Sequence, residues 1–398
     1  MAFEKFRAFM DVGRVQGVPV TAAIAILGAL TASRGPDLWD LFWLVVISIF
    51  AHVGGAAQNE LWDRKLDAAV RELSRKPLVN GALSPDEAKG LIACYVPVSL
   101  LLALYIFGIP AFIAMLIATL WMHWYCTTGK RTFIVSDLAQ CVGFPAYALF
   151  GALAVGMPTG LTWPLMGVVA TLNLFAQWGN GLKDADNDRR FGIPSFAVLS
   201  GVTSARGLTA RHPYFIYGIG IKVAFLVFCT IPIVLAPVPM AYILIVFSLG
   251  WPVGYFTMRE FIGPKTRQEY VHLLLGDLLV SYPAAAAISI IGAGLTGFLL
   301  LAVFVFGGYL VGSALQSGAE FKFRMPGTRS AKPVRQRPLR RPAQPGSAPF
   351  LMAWAPRGKG GFRQVDCGLL CTRPPDRLPA LRMDGTRKDG VFVVEPLE

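Results

Sequence analysis

The sequence NELWDRKLD occupies residues 59–67 at the end of a long apolar stretch, and NGLKDADND occupies residues 180–188 at the end of another. Both have the form N-x-x-x-D-x-x-x-D. Each residue of the second run lies 121 positions after its counterpart in the first. On a helix, residues four and eight positions apart lie on nearly one face. Each run therefore predicts a helix end that presents one amide and two carboxylates in the same direction.

The composition is that of an integral membrane protein. The 398 residues are 54% hydrophobic and 15% charged, with a mean hydropathy of +0.53. Soluble domains are about 45–50% apolar and about 25% charged. The net charge of +13 is concentrated in a few short loops and the last quarter of the chain. This pattern indicates contact with anionic lipid headgroups or anionic substrates, and it argues against nucleic acid as a partner.

The apolar stretches predict ten membrane spans. A bilayer core of about 30 Å needs roughly 20 mostly apolar residues per helix, and ten stretches meet or approach that length. Several are separated by only a few residues that contain Gly or Pro, which indicates tight helical hairpins. The predicted spans cover approximately residues 17–33, 39–58, 90–108, 110–127, 134–156, 161–179, 213–236, 239–257, 273–293 and 296–316.

Basic residues predict the orientation in the membrane. Lys and Arg occupy every second connection between the predicted spans, including both loops that follow the Asn/Asp runs. Short loops rich in Lys and Arg stay on the cytoplasmic side. We therefore expect a multi-pass protein of the cell membrane with both termini in the cytoplasm.

The C-terminal region differs from the rest of the chain. From about residue 320 the apolar stretches give way to a basic sequence rich in Pro, Arg and Gly. Such a sequence buries too little apolar surface to offset the entropy of an ordered chain. We predict a membrane domain over residues 1–319 and a disordered tail over 320–398. The tail is either a polybasic lipid contact or an inert extension.

The constant spacing of the two Asn/Asp runs indicates an internal duplication. It suggests two four-helix units whose runs face each other across a shared cavity. Carboxylates four positions apart repel one another, so a cation is expected between them. Oxygen ligands suit Mg²⁺, which combines one or two carboxylates with substrate phosphates. A single run would equally fit a solvated polar helix end, but two copies in register favour a Mg²⁺–diphosphate site.

Basic residues near the two runs are candidate ligands of a diphosphate. Lys130 and Arg131 follow the fourth predicted span, Arg71 and Lys76 follow the first run, and Arg189 follows the second. Charged donors of this kind bind phosphate groups and stabilise a diphosphate as it leaves. The orientation rule for cytoplasmic loops would also account for their presence.

At these residues the chain resembles the UbiA superfamily of intramembrane prenyltransferases. The run VRELSRKPLVNGALS at 70–84 looks like the family's R-P-L-x-S-G-x-x-S stretch, and DRRFGIPS at 188–195 looks like its D-x-x-x-G-x-x-S stretch. Tyr125 with Lys130 and Arg131 is similar to the family's Tyr and Lys-Arg element. The resemblance covers about residues 10–315.

The chain departs from the family pattern at a few positions. Glu60 stands where Asp is commonest, Lys76 replaces the usual Arg, and Asn80 replaces Ser. The first span also lacks the usual Arg-Pro opening. The missing Arg-Pro opening bears on the acceptor more than on the donor.

The resemblance implies an all-α membrane fold with nine spans in typical members, hence nine to ten here, and a Mg²⁺-dependent prenyl transfer. A polyprenyl diphosphate would ionise to an allylic carbocation that a membrane-embedded acceptor attacks. The acceptor would be aromatic and similar to 4-hydroxybenzoate, or a lipid. Transfer to an isoprenoid glycerol lipid and terpene cyclisation are the alternatives. The implied metal ligands are Asp63, Asp67, Asp184 and Asp188, with Asn59 and Asn180 assisting.

A transporter is the non-enzyme alternative, but transporter sites lie near the bilayer midplane, whereas these Asp residues end helices inside basic loops. His52 is either a proton acceptor or a hydrogen-bonded buried histidine. Lys222 and Asp137 lie near predicted membrane boundaries, where charged side chains extend towards water. No obligate protein partner is indicated.

Overall fold

The computed structural model describes residues 2–70, 73–129, 132, 135–203 and 206–316, together with four short C-terminal segments. The chain divides into two compact units, Met1–Phe323 and Arg324–Glu398. In the second unit, two antiparallel pairs of short strands are described. The predicted disorder of the tail stays a prediction. The strands are β1 (Met352–Arg357), β2 (Gly361–Asp366), β3 (Arg387–Lys388) and β4 (Val391–Phe392).

The described part of the first unit is built from helices, which confirms the predicted all-α class. A 3₁₀ turn lies at Val15–Gly17 and a π-helical turn at Val246–Gly250. The helices are α1 (Ala2–Val12), α2 (Val18–Leu30), α3 (Leu38–Asp67), α4 (Pro77–Asn80), α5 (Pro85–Thr127), α6 (Val135–Val155), α7 (Thr162–Arg190), α8 (Phe196–Leu199), α9 (Pro213–Leu235), α10 (Met240–Ile245), α11 (Trp251–Glu260), α12 (Arg267–Ala286) and α13 (Ser289–Leu315).

Local sequence explains where several helices begin. In a capping box, the N-cap side chain accepts a hydrogen bond from a backbone N–H three residues later, and the acidic side chain there binds the N-cap N–H in return. Among the described helices, three start this way. The pairs are Asp37 with Asp40 on α3, Ser84 with Glu87 on α5, and Thr266 with Glu269 on α12.

The helices expose apolar side chains that a membrane would cover. Tyr105 on α5 and Val303 on α13 are 87% and 70% exposed. Among the described residues, five helices are long and apolar enough to cross a bilayer, or six if α1 and α2, which meet at 49°, form one broken span. The protein is therefore membrane-embedded, but the predicted nine to ten spans are not confirmed.

Two glycines account for part of this difference. Gly108 lies inside α5 and Gly294 inside α13, at two of the predicted connections between spans. Each has a positive φ, 80° and 67° respectively, a conformation that Gly adopts without steric cost. Helical geometry breaks at these residues while the helices continue on both sides. The breaks lie at or beside the predicted connections, but α5 counts as one long helix although Gly108 divides it.

Helices α2 and α6 approach each other at small residues. A Cβ atom added to Gly28 would lie 1.9 Å from the carbonyl oxygen of Ala148, and one added to Gly151 would lie 1.9 Å from that of Ala25. Ala25 and Ala148 are fully buried. Small residues allow membrane helices to pack with their backbones in contact. This reciprocal contact holds α2 against α6 in the centre of the core.

Replacing Gly28 or Gly151 with Ala is therefore expected to destabilise the protein by about 1–3 kcal/mol, the usual cost of overpacking a core. Thermal unfolding of the detergent-solubilised protein, followed by tryptophan fluorescence, measures the effect as a lower midpoint temperature. Gly220→Ala in α9 is the matched control, because nothing lies within 4 Å of an added Cβ there. An equal loss in the control would contradict the backbone-contact explanation.

Candidate active site

The structure brings the two Asn/Asp runs together around one polar cavity of about 370 Å³. Helix α3 continues through the first run and α7 through the second, so both runs are helical as predicted. Each run ends its helix, and each contributes three side chains to the lining. These six side chains are Asn59, Asp63, Asp67, Asn180, Asp184 and Asp188.

The carboxylates of the two runs are close enough to influence one another. Burial raises the pKa of Asp188 to about 6, and the charges of Asp184 and Asp63 act in the same direction. Asp184 belongs to the same helix, whereas Asp63 belongs to α3. A raised carboxyl pKa means that the negative form is destabilised. The cavity therefore favours a cationic ligand between the two helix ends.

Lys76 already neutralises part of the first run. Its Nζ donates to Asp67 Oδ2 at 3.0 Å and to Glu60 Oε1 at 3.1 Å, and its side chain is buried. Arg14 Nε also donates to Glu60 Oε1, at 3.0 Å. Glu60 therefore lies between two cations, where an ion pair is screened little by solvent. Glu60, which stands where the family commonly has Asp, therefore links Arg14 to Lys76 in the cavity wall.

Arg267 neutralises part of the second run. This first residue of α12 lines the cavity, and its Nε donates to Asp184 Oδ1 at 3.2 Å. Lys183 Nζ lies 3.8 Å from the other carboxylate oxygen, Oδ2. In the sequence, Arg267 is one of several basic residues between the predicted spans 239–257 and 273–293. No motif marks it, because the contact joins residues 83 positions apart.

Four more basic residues were predicted to bind the diphosphate, and of these the structure describes only Arg189. Arg189 turns away from the cavity, because its Nη2 donates to the carbonyl oxygen of Val202 at 2.6 Å and its Nη1 lies 3.3 Å from Asp186 Oδ1. The structure thus gives Arg189 no place in the cavity lining. Arg71, Lys130 and Arg131 lie outside the described residues.

Polar side chains from neighbouring helices complete the wall. Tyr125 lines the cavity, and Gln177 donates a hydrogen bond to its hydroxyl group. Asn180 Nδ2 donates to Gln177 Oε1 at 3.0 Å. Asp137 also lines the cavity and accepts a hydrogen bond from Tyr217 at 3.0 Å. The expectation that Asp137 extends to the membrane surface was wrong, because it belongs to the polar site.

A second, mostly apolar cavity of about 420 Å³ shares Arg14 with the polar one. Helices α2, α7, α12 and α13 supply most of its wall. His52 lies in this wall, with Nδ1 2.7 Å from Thr21 Oγ1 and Nε2 3.0 Å from the carbonyl oxygen of Arg14. A carbonyl oxygen only accepts, so Nε2 carries the proton and Nδ1 accepts from Thr21. The hydrogen-bonded reading of His52 is confirmed.

The oxygen-rich side chains fit a hard cation that shares its ligands with a phosphate group. Across the described ranges, no three acidic, histidine or cysteine side chains are close enough together to hold a metal ion alone. Mg²⁺ usually takes only one or two carboxylates and completes its octahedral shell with water and phosphate oxygens. The paired runs suit such a shared site better than an all-protein cage.

Comparisons with known proteins identify the family of the chain. The model of the UbiA prenyltransferase family matches residues 18–268. A 4-hydroxybenzoate octaprenyltransferase of Pasteurella multocida is 29% identical over 171 residues, which is 43% of this chain and 58% of that protein. A digeranylgeranylglyceryl phosphate synthase of Sulfurisphaera tokodaii is 25% identical over 203 residues, or 49% and 70% of the two chains.

Solved structures share the fold. A UbiA homologue from Archaeoglobus fulgidus bound to DMAPP and Mg²⁺ superimposes with a TM-score of 0.54 at 14% sequence identity. The match covers 70% of this chain and 99% of that homologue. Among the relatives by sequence, the chain spans less than two thirds of the Pasteurella multocida protein.

Proposed function

Because this chain belongs to the UbiA prenyltransferase family, we propose that it transfers a polyprenyl group from an isoprenoid diphosphate to an acceptor in the membrane. The observation that carries this proposal is the meeting of two acidic helix ends around one polar cavity. The apolar cavity adjoins it at Arg14. A charged head and an apolar tail in one ligand match these two neighbouring environments.

The polar cavity would hold the diphosphate and Mg²⁺. Bound Mg²⁺ would neutralise the diphosphate and so make it a better leaving group. The four carboxylates of the paired runs would be its protein ligands, and Asn59 and Asn180 would orient them. Lys76, Arg71, Lys130 and Arg131 would bind the diphosphate as it leaves. Arg189 would instead fix the loop that follows α7, through its bond to the Val202 carbonyl.

The apolar cavity would hold the prenyl chain. Its wall contains Leu, Ile, Val and Phe side chains from four helices, with few polar groups. Such a wall keeps water away from an allylic carbocation, which would otherwise be hydrolysed. Both ring nitrogens of His52 are already in hydrogen bonds. We therefore assign His52 a role in shaping this cavity and not in removing the acceptor's proton.

The acceptor would be an aromatic compound similar to 4-hydroxybenzoate or a lipid. Relatives named for both kinds of product match this chain at similar identity, 29% and 25%. Cyclisation of the donor without an acceptor is the remaining enzymatic alternative. A transporter is disfavoured, because the carboxylates lie at helix ends and not near the middle of a span.

We also propose nine to ten membrane crossings arranged as two related four-helix units; ten crossings, the number that the loop charges favour, place both termini in the cytoplasm. Helix α5 has 43 residues and would be about 65 Å long if straight, roughly twice the hydrocarbon thickness. The break at Gly108 divides it into two segments of spanning length. Gly28 and Gly151 each pack against an alanine carbonyl oxygen of the facing helix. The two glycines are 123 positions apart, close to the spacing of 121 between the Asn/Asp runs. This supports an internal repeat.

Membranes from cells expressing the full chain test the activity. They are supplied with labelled polyprenyl diphosphates of several lengths and with 4-hydroxybenzoate, an isoprenoid glycerol phosphate or haem, in Mg²⁺ or in EDTA. We expect a prenylated product only with Mg²⁺ and a suitable acceptor. Membranes from cells carrying an empty vector are the control.

Three other results would each contradict part of the proposal. Product formation in EDTA would contradict the role of the metal. Diphosphate release without an acceptor, together with a cyclic hydrocarbon, would identify a cyclase. Transfer of intact donor across sealed vesicles, without any product, would identify a transporter.

A further inference from the structure

Each Asn/Asp run has one carboxylate bound to a cation from a distant part of the chain. Lys76, which precedes α4, binds Asp67 of the first run at 3.0 Å. Arg267, which begins α12, binds Asp184 of the second run at 3.2 Å. Both cations line the same cavity as the carboxylates. In this form the protein balances part of the negative charge with its own side chains.

The backbone of Arg267 is fixed, while its side chain retains bonding capacity. The capping box of Thr266 and Glu269 determines where α12 starts, with the Thr266 N–H donating to Glu269 at 2.7 Å. Tyr270, one turn further, is buried and stacks on Phe261 at 6.5 Å between ring centroids. Within the described residues, Nη1 and Nη2 of Arg267 make no hydrogen bond. The side chain is 31% exposed and lines the cavity.

Resting on the proposed function, we infer that Arg267 is a further diphosphate-binding residue, and that it exchanges Asp184 for the diphosphate when the donor and Mg²⁺ bind. A cation held on Asp184 competes with a metal ion for the same carboxylate. The planar guanidinium group can bind two phosphate oxygens at once. When the Arg267 side chain moves from Asp184 to the diphosphate, the Asp184 carboxylate becomes free to bind the metal. Arg267 then has a partner with a larger negative charge.

The exchange makes metal binding depend on diphosphate binding. Without a diphosphate, a metal ion must displace Arg267 from Asp184 and leave the guanidinium group close to another cation. With a diphosphate present, both cations gain a shared anionic partner. Lys76 likewise binds a carboxylate of the first run, Asp67, and would act in the same direction. A purely structural role for Arg267, joining α12 to α7, would produce no such coupling.

Binding measurements on the purified full chain in nanodiscs separate these possibilities. Mn²⁺ serves as the metal probe, followed by the electron paramagnetic resonance of the free ion, and inorganic diphosphate serves as the anion probe, followed by calorimetry. For Arg267→Gln we expect Mn²⁺ alone to bind about 2- to 5-fold more tightly, the value of a partly exposed ion pair. Diphosphate in the presence of Mn²⁺ should bind about 10- to 100-fold more weakly, as expected for lost hydrogen bonds to a charged group.

Two further variants complete the test. Arg267→Lys keeps the charge but not the planar fork, so it should recover part of the diphosphate affinity. Arg259→Gln makes the same charge change at an exposed position at the end of α11 and should alter neither affinity.

The outcomes distinguish this inference from the proposed function. If Arg267→Gln matches Arg259→Gln in both affinities, or lowers both together with the unfolding temperature, Arg267 is a structural link and the exchange is wrong. A wild-type chain that binds no diphosphate in the presence of Mn²⁺ would overturn the proposed function and the exchange with it.

Discussion

Replacing Asp184 with Asn is expected to lower the rate of prenyl transfer on the order of 10³-fold, and Asp63→Asn should have a similar effect. Asn keeps the size of the side chain but removes the negative charge that would hold Mg²⁺ and, through it, the diphosphate. Both carboxylates line the polar cavity, one on each acidic helix end. Initial rates of product formation in membranes at saturating Mg²⁺, normalised to the amount of protein, measure the loss.

Asp186→Asn is the matched control for Asp184→Asn. Asp186 lies on the same helix two residues later, and the substitution makes the same change in charge. Its carboxylate is paired with Arg189 and lies outside the cavity lining. Its activity should remain within roughly twofold of the wild type, since surface substitutions away from a site cost little. Equal losses of activity in Asp184→Asn and Asp186→Asn would show that any negative charge near the end of the helix supports the reaction, whether or not it lines the cavity.

The acidic part of the site could be predicted from the sequence because its information is local. Residues 59, 63 and 67 share one helical face whatever the rest of the chain does, and the same is true of 180, 184 and 188. The constant spacing between the runs indicated that they act together. Their roles as metal ligands stay a prediction. The structure adds that all six side chains line one cavity.

The basic part of the site could not be predicted in the same way. Long Lys and Arg side chains reach partners that sequence spacing does not specify. Arg267 reaches Asp184 across 83 positions, whereas Arg189, adjacent to the second run, turns to the Val202 carbonyl. Proximity in sequence therefore did not indicate which arginine lines the cavity. The loop charge rule fixes the side of the membrane on which a basic residue lies but not its partner.

The number of spans shows a similar limit. Hydropathy finds apolar stretches, but it does not separate a loop from a single residue that breaks a helix. Gly108 and Gly294 occupy predicted connections, and at each a single residue with a positive φ breaks the helix without an intervening loop. A glycine needs no additional residues to change the direction of the chain. The sequence therefore marked the break points correctly without specifying their geometry.

Lys222 is the clearest case in which a tertiary contact overrides a local expectation. Its position near a predicted membrane boundary indicated a side chain extending towards water, and that was wrong. Lys222 is only 5% exposed, and its Nζ lies 2.6 Å from Asp277 Oδ2 and 2.7 Å from Ser281 Oγ. Thr257 donates to the other carboxylate oxygen, Oδ1, at 2.6 Å. The buried ion pair joins α9 to α12, and the hydrogen bond from Thr257 connects α11 to the same carboxylate.

Breaking this pair from one side is expected to destabilise the protein strongly. Asp277→Leu leaves the Lys222 ammonium group buried without its countercharge, and Lys222→Met does the same to the carboxylate. Removing one partner of a buried ion pair typically costs about 3–5 kcal/mol, because the remaining charge keeps its desolvation penalty. Thermal unfolding in detergent should show a large fall in the midpoint temperature for either variant, and less protein should be recovered in the membrane fraction.

The double variant Lys222→Met/Asp277→Leu separates the cost of an unpaired charge from the loss of attraction. Replacing both members of a buried pair by apolar residues of similar volume is often neutral or even stabilising. The double variant should therefore recover most of the lost stability, less about 1–3 kcal/mol for leaving Ser281 and Thr257 with unmet hydrogen bonds. A double variant no more stable than either single variant would mean that no unpaired-charge penalty is relieved and that the lost attraction accounts for the destabilisation. In that case the pair stabilises the helix bundle despite its desolvation cost.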